Sequence, residues 1–292
     1  MSILVNSKTQ VIVQGITGTQ ASFHTKKSLE YGTKIVAGTS LHYQSGEYLG
    51  LPVFKNVADA KKEMQIDASL MFVPARALKY AVREAVEAKL GLIVSIANGV
   101  PVHDMLEIKS MLNGSETLMI GPNTPGIITP NEAHLGLFPE NLHKKGIVGI
   151  VSRSSTLTYE AAIETNISGL GQSTVVGLGD DMVVGTGYCE ILRRFMDDDE
   201  TKVIVMLGKM DSLYEQIAAE YYAALPTKKP IIALIVGEAL PYNHTMGYAG
   251  DIITHGRITI DDKKKMLQKS GMIVVDSLNQ IHTELMKLNL KR

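Results

Sequence analysis

Three short stretches carry residue types that could do chemistry. In QGITGTQASFH (14–24), Gly15 and Gly18 bound a tight turn, and Thr19 onward reads as a helix ended by Gly32. A strand, a glycine turn and a helix start form an anion site, because free N–H groups and the helix dipole both face the ligand. The dinucleotide fingerprint G-x-G-x-x-G is not met, since Gln14 stands at the first glycine and Ala21 at the last. A nucleotide-like ligand and a ligand-free turn both fit that pattern. In VSRSSTLTYEAA (151–162), Ser152, Arg153, Ser154 and Ser155 lead into a helix begun near Thr156. Hydroxyls and bare N–H groups there suit an anion, although Ser154 or Ser155 could act as an N-cap alone and Arg153 could pair with Glu160. In TMGYAGDII (245–253), small residues crowd around Tyr248.

The elements that would hold these stretches alternate. Apolar, β-branched runs at 11–14, 34–37, 69–74, 91–96 and 117–121 are separated by helical periods. One of these is 77–88, whose expected inner face is Ala77, Tyr80, Ala81, Ala85 and Val86. An Asn-, Pro- and Gly-rich stretch follows, and the alternation restarts at 146–152, 173–179, 202–208, 230–237 and 272–277. Strands alternating with helices predict parallel, doubly wound α/β sheets. The expected parsing is a first domain over 1–122, a linker loop over 123–146 and a second domain over 147–292.

Composition narrows the class. The 292 residues are 45% hydrophobic and 20% charged, enough for sizeable cores, and the net charge of −1 gives no support for nucleic-acid binding. The run Lys263–Lys265 reads as a solvated helix face. The single Cys189 excludes an intrachain disulfide, fits a reducing compartment and reads as a core thiol. MSILVNSKTQ lacks the plan of a signal peptide, and no apolar run approaches the ~18 residues of a membrane span, so a cytoplasmic location is expected. No His/Cys spacing points to a metal.

Taken in order, QGITGTQ…FH, GPNTPG (121–126), GIVSRSSTLTYE (149–160), GQSTVVGLG (171–179) and MGYAGDII (246–253) resemble the α subunit of succinyl-CoA synthetase (succinate–CoA ligase), over essentially the whole chain. The resemblance implies a Rossmann-like CoA-binding domain followed by a flavodoxin-like ligase domain. It also implies a β subunit with an ATP-grasp site for ATP or GTP and Mg, and a place in the tricarboxylic acid cycle. The family's reaction passes phosphoryl from nucleotide to a histidine, then to succinate, and CoA displaces the phosphate. By position, Gly15, Thr17, Gly18, Thr19 and Gln20 would meet the CoA phosphates, and Ile96, Ala97 and Asn98 would lie along the CoA. Asn123 and Tyr159 would fall near the substrate. Ser152, Arg153, Ser154 and Ser155 form the helix start that would hold the phosphohistidine's charge.

The chain departs from the family where the relay should run. The G-H-A-G pattern of the phosphohistidine reads Gly247, Tyr248, Ala249, Gly250. A tyrosine, with a pKa of about 10, would transfer phosphoryl poorly to a carboxylate. The glutamate that supports the histidine is Lys209, the CoA-contacting lysine is Tyr43, and the cysteine many members carry is Thr124. His244 and His255 are the nearest alternative imidazoles, and surface polar roles suit both. His24 and His143 stand where the family also has histidine. These departures predict an impaired relay in a CoA-binding α-type subunit. The alternatives are a non-catalytic scaffold or regulator, and a stand-alone binder of CoA or another phosphorylated ligand.

Overall fold

A computed structural model describes residues 2–40, 46–209, 212–236 and 259–290. The first sheet gathers β1 (Val11–Gln14), β2 (Ile35–Thr39), β3 (Gly46–Tyr48), β4 (Leu51–Phe54), β5 (Ala68–Met71), β6 (Leu92–Ser95) and β7 (Leu118–Ile120) in the order β3-β4-β2-β1-β5-β6-β7. Its neighbouring strands pair in parallel except β3 with β4, which pair antiparallel. Leaving out the antiparallel edge strand β3, this is the Rossmann order 3-2-1-4-5-6. The chain steps outward from β1 to β4, then crosses to β5 on the other flank of β1. The crevice at the carboxyl ends of β1 and β5 is therefore the expected ligand position.

Between these strands run α1 (Thr19–Glu30), α2 (Val57–Glu63), α3 (Leu78–Glu87) and α4 (Val102–Asn113). The central strands β1, β5 and β6 are buried along their whole length, which explains their apolar runs. The inner face of α3 is Leu78, Ala81, Val82 and Ala85, packed with Ile12, Met71 and Ile93. Tyr80, expected on that face, is 63% exposed. At 3.6 residues per turn Tyr80 stands about 200° from both Leu78 and Val82, which puts it on the outer face.

The second sheet comprises β8 (Gly126–Thr129), β9 (Ala133–Gly136), β10 (Lys145–Ser152), β11 (Gln172–Gly177), β12 (Val203–Lys209), β13 (Ile231–Val236) and β14 (Ile273–Val275). Its order is β14-β13-β12-β10-β11-β8-β9. The five strands β10 to β14 reproduce the flavodoxin order 2-1-3-4-5, whose switch point lies between β10 and β12. The helices here are α5 (Ser155–Ile167), α6 (Tyr188–Asp197), α7 (Tyr214–Ala224), α8 (Ile260–Lys269) and α9 (Leu278–Lys287). Both α/β folds are thus as expected.

The stretch 123–146 is not a plain linker loop, because it carries the antiparallel pair β8 and β9. Glycine and histidine break the apolar run in these strands, and their closeness depends on glycines: a Cβ on Gly126 would lie 2.0 Å from Leu135 O. The compact units also divide differently from the chain order. One holds Ser2–Glu140 with Val176–Thr186, and the other Asn141–Val175 with Gly187–Arg292. We call them the first and second unit.

Candidate functional site

In the first unit the site is built on the end of β1. Gln14, which stands where a nucleotide fingerprint has glycine, is 2% exposed. Its Oε1 accepts from Ser69 Oγ (2.7 Å), and its Nε2 donates to Glu84 Oε2 (2.8 Å) and Ala81 O (3.3 Å). Burial pushes the Glu84 carboxyl up, against the N–H of Val57 and the amide of Gln14, which favour its ionised form. Gln14 therefore ties β1 to β5 and α3 and takes no part in the turn that follows.

Gly15 begins that turn with φ +86°, and a Cβ there would lie 2.5 Å from Phe72 O, the residue just after β5. Only glycine lets the two strand ends approach so closely. The N–H groups of Gly15 and Ile16 donate to Thr39 O (3.0 and 3.2 Å), and that of Gly18 to Gly15 O (3.0 Å). Those donors are spent inside the turn. Ser22 is the first α1 residue to bond back, to Gly18 O (2.8 Å). The N–H groups of Thr19 and Gln20 thus face outward at a helix start with no side-chain cap and no acidic residue in its first turn. Gly18, Thr19 and Gln20 are exposed. Thr17 Oγ1 and Ser40 Oγ share a hydrogen bond (2.8 Å), as do Ser22 Oγ and Tyr48 OH (2.8 Å). His24 stacks on Phe72 at 5.9 Å between centroids, and burial holds its imidazole below the usual value. Ser22 and Tyr48 carry no motif in the sequence, whereas Ser40 opens the stretch 40–46 that the resemblance sets beside CoA.

Ile96, Ala97 and Asn98 follow β6 along the same carboxyl edge. Ile96 N–H donates to Met71 O (3.2 Å), Ala97 O accepts from Asn123 N (2.7 Å), and Asn123 O accepts from Asp180 N (3.0 Å). Asn123 adopts φ +55°, the left-handed region. Thr124 is buried, accepting from Gly126 N (2.8 Å) and donating to Gly177 O. The first unit thus gathers Gly15–Gln20, Ile96–Asn98 and Asn123 along one sheet edge. Tyr43 lies outside the described residues.

In the second unit, Ser152 ends β10 opposite Leu207 of β12. Ser154 N donates to Ser152 Oγ (3.0 Å), and Ser152 Oγ donates to Ser154 O (2.9 Å). Ser154 is the N-cap of α5, its Oγ accepting from Leu157 N at 3.4 Å. As at α1, the first turn of α5 holds no acidic residue. Arg153 is 1% exposed; its N–H donates to Leu207 O (3.2 Å), and its guanidinium lies 5.0 Å from the centroid of the Tyr214 ring. Its guanidinium is therefore buried, one residue before the N-cap of α5. Tyr159 is half-buried, and burial pushes its phenol up. Lys209 ends β12, and its N–H donates to Glu215 Oε1 (3.0 Å). Tyr248, His244 and His255 lie outside the described residues.

The run Lys263–Lys265 is not a solvated face throughout: Lys263 is 2% exposed and paired with Glu215 at 3.1 Å. A lysine run gives no sign of which member turns inward. Cys189 is half-buried rather than in the core, and burial raises its thiol. Among the described residues no group of three or more His, Cys, Asp or Glu side chains could hold a metal, and no helix is long and apolar enough to cross a membrane.

Residues 6–99 match the model of the CoA binding domain, and residues 151–274 match that of the CoA-ligase family. The α subunit of an ADP-forming succinate–CoA ligase from Staphylococcus aureus is 42% identical over 287 residues, covering 98% of this chain and 95% of its own. The chain belongs to the succinate–CoA ligase α subunit family. A second relative, ADP-forming subunit alpha 2 from Archaeoglobus fulgidus, is 45% identical over 271 residues, covering 93% of this chain and 94% of its own. Among solved structures, ATP citrate lyase from Methanosaeta concilii, in complex with (3S)-citryl-CoA, matches with a TM-score of 0.88 at 20% identity. The match covers 99% of this chain and 52% of that one, so the chain spans about half the length of the lyase. ATP citrate lyase from Methanothrix soehngenii, with citrate and coenzyme A, matches equally at 0.88, 20%, 99% and 52%. At this identity the likeness shows the fold. For this family member, the glycine turn before α1 falls inside the CoA-binding match and the start of α5 inside the ligase match.

Proposed function

We propose that this chain is the CoA-binding α-type subunit of a succinate–CoA ligase, working with an ATP-grasp β subunit that holds ATP or GTP with Mg, and that its phosphohistidine relay is interrupted at Tyr248. The observation that carries the CoA reading is the α1 start. It has two outward N–H groups, no cap, no acid and a glycine turn that brings it to the sheet's switch point. Phosphate oxygens of the CoA diphosphate suit Thr19 and Gln20 N–H and the positive helix end. The hydroxyls of Thr17 and Ser22 flank that position. Ile96–Asn98 lies along the same edge, where the pantetheine arm would run toward Asn123. Bound there, CoA supplies a thiol that accepts the acyl group.

The start of α5 suits the charge of a transferring phosphoryl, with the buried Arg153 adding a cation behind it. The relay itself needs an imidazole, and the family's position for it holds Tyr248, with Lys209 in place of the supporting carboxylate. Those two substitutions favour, as a second reading, a non-catalytic paralogue that keeps the β-subunit interface. Titration calorimetry of the full chain with CoA and with pantetheine tests the binding claim. Saturable CoA binding, at least about tenfold tighter than pantetheine, is expected because the phosphates supply the charged contacts. Equal affinity for both, or no CoA binding with or without a β subunit, would overturn it.

A further inference from the structure

A buried ion pair in the second unit has no place in the chemistry described above. Glu215, on the first turn of α7, is fully buried, and Lys263, on the first turn of α8, is 2% exposed. Their bonds converge on one short stretch of backbone. Glu215 Oε1 accepts from Lys209 N (3.0 Å), and Oε2 from Ser212 Oγ (2.8 Å) and Lys263 Nζ (3.1 Å). Lys263 Nζ also donates to Lys209 O (2.8 Å) and Ser212 O, so all three ammonium protons have acceptors. The preceding residue leaves room for the carboxylate: a Cβ on Gly208 would lie 2.5 Å from Glu215 Cγ.

We infer that Glu215 and Lys263 are positioning residues whose buried pair fixes the end of β12, and with it Lys209, against the first turn of α8. Two arguments carry this beyond general stability. A buried ion pair is often no more stabilising than apolar residues of similar volume, so an apolar pair would serve a plain core equally well. And apart from their mutual bond, the side chains of the pair bond to residues 209 and 212, at and just beyond the carboxyl end of β12. That end flanks the sheet's switch point, and α8 follows in sequence the stretch that carries Tyr248. The inference rests on the reading of this strand end as part of the ligase site, but its first test does not depend on turnover.

The test compares the full chain with Glu215→Leu/Lys263→Met and with Glu215→Gln, by hydrogen–deuterium exchange and by the half-reaction of succinyl phosphate with CoA in the complex with the β subunit. The double variant should melt close to the parent and bind CoA equally. Exchange should rise at least about tenfold for the peptide spanning 209–215 and the start of α8, while β12 amides at 203–207 keep parental protection. Should the double variant fail to fold, Glu215→Gln keeps the volume and carries the same readout. In the half-reaction, turnover should fall about tenfold or more with the KM for CoA unchanged. Uniformly faster exchange across β12, or unchanged exchange at 209–215, would show a merely structural pair and overturn the inference. An inactive parent complex would instead count against the ligase reading, leaving the exchange result to decide the inference.

Discussion

Gly15→Ala is the sharpest perturbation of the CoA cradle. The substitution forces an L-residue to φ +86° and places a methyl 2.5 Å from Phe72 O, where real Cβ atoms are not found. A left-handed conformation costs a non-glycine residue about 1–2 kcal/mol. The overlap adds about 1–3 kcal/mol, since β1 and β5 are hydrogen-bonded neighbours and neither can retreat without breaking the ladder. Together these approach half of a typical domain's stability. For a unit of this size, about 2–5 kcal/mol corresponds to a melting shift of about 5–15 °C. The neighbouring glycine is the control. A Cβ on Gly18 would meet Gly15 O at 3.4 Å with φ at −67°, so Gly18→Ala should shift melting by no more than about 3 °C. Differential scanning calorimetry of both variants, with and without CoA, makes the comparison. Gly15→Ala should also lose the stabilisation that CoA gives the parent, because Thr19 and Gln20 are displaced with the turn. A Gly15→Ala chain melting within about 1 °C of the parent and still stabilised by CoA would refute the close-approach argument.

Other consequences follow from the same geometry. Ser154→Ala removes the N-cap of α5 and should cost about 1 kcal/mol in urea unfolding, while Ser154→Asn should largely restore it. His24 has its pKa lowered by burial, so as pH falls below the ordinary imidazole value of about 6.5 the unfolded chain binds more protons than the folded one. Its contribution is therefore present above about 6.5 and lost as pH falls through the depressed folded value; His24→Gln should flatten the stability profile on that acid side, measured by urea midpoints across pH. Gln14→Gly should weaken the fold rather than improve CoA binding, because it leaves Ser69 Oγ and Glu84 Oε2 without their Gln14 partner. Equal or higher urea stability for that variant would contradict the anchor role.

Much of this architecture was legible because buried parallel strands must be apolar. The ten apolar runs from Val11–Gln14 to Ile273–Val275 stand out for that reason, and their alternation with helices fixes the class. The edge pairs β3–β4 and β8–β9 have Gly, Glu, Pro or His among their three or four residues, so no unbroken apolar run marks them, and their pairing is set by tertiary contact. The glycine turn was visible, yet not which of its N–H groups remain available. That depends on Thr39 O, a neighbour in space but not in sequence. Arg153 was legible as part of a helix start that suits an anion; its burial over Tyr214, 61 positions away in the chain by residue number, is a packing outcome. The Glu215–Lys263 pair was hidden for the same reason, its lysine being one of three alike.

We propose that this family member keeps the anion cradles at the starts of α1 and α5 but lacks the imidazole that would carry phosphoryl from the nucleotide to succinate. The most direct measurement incubates the full chain and its β subunit with γ-labelled ATP, then assays the α-type chain for acid-labile phosphate. The account predicts no acid-labile label on the parent chain, and its appearance in a Tyr248→His/Lys209→Glu variant that regains both the imidazole and its carboxylate support. Acid-labile phosphate on the parent chain, mapped to any of its histidines, would contradict it.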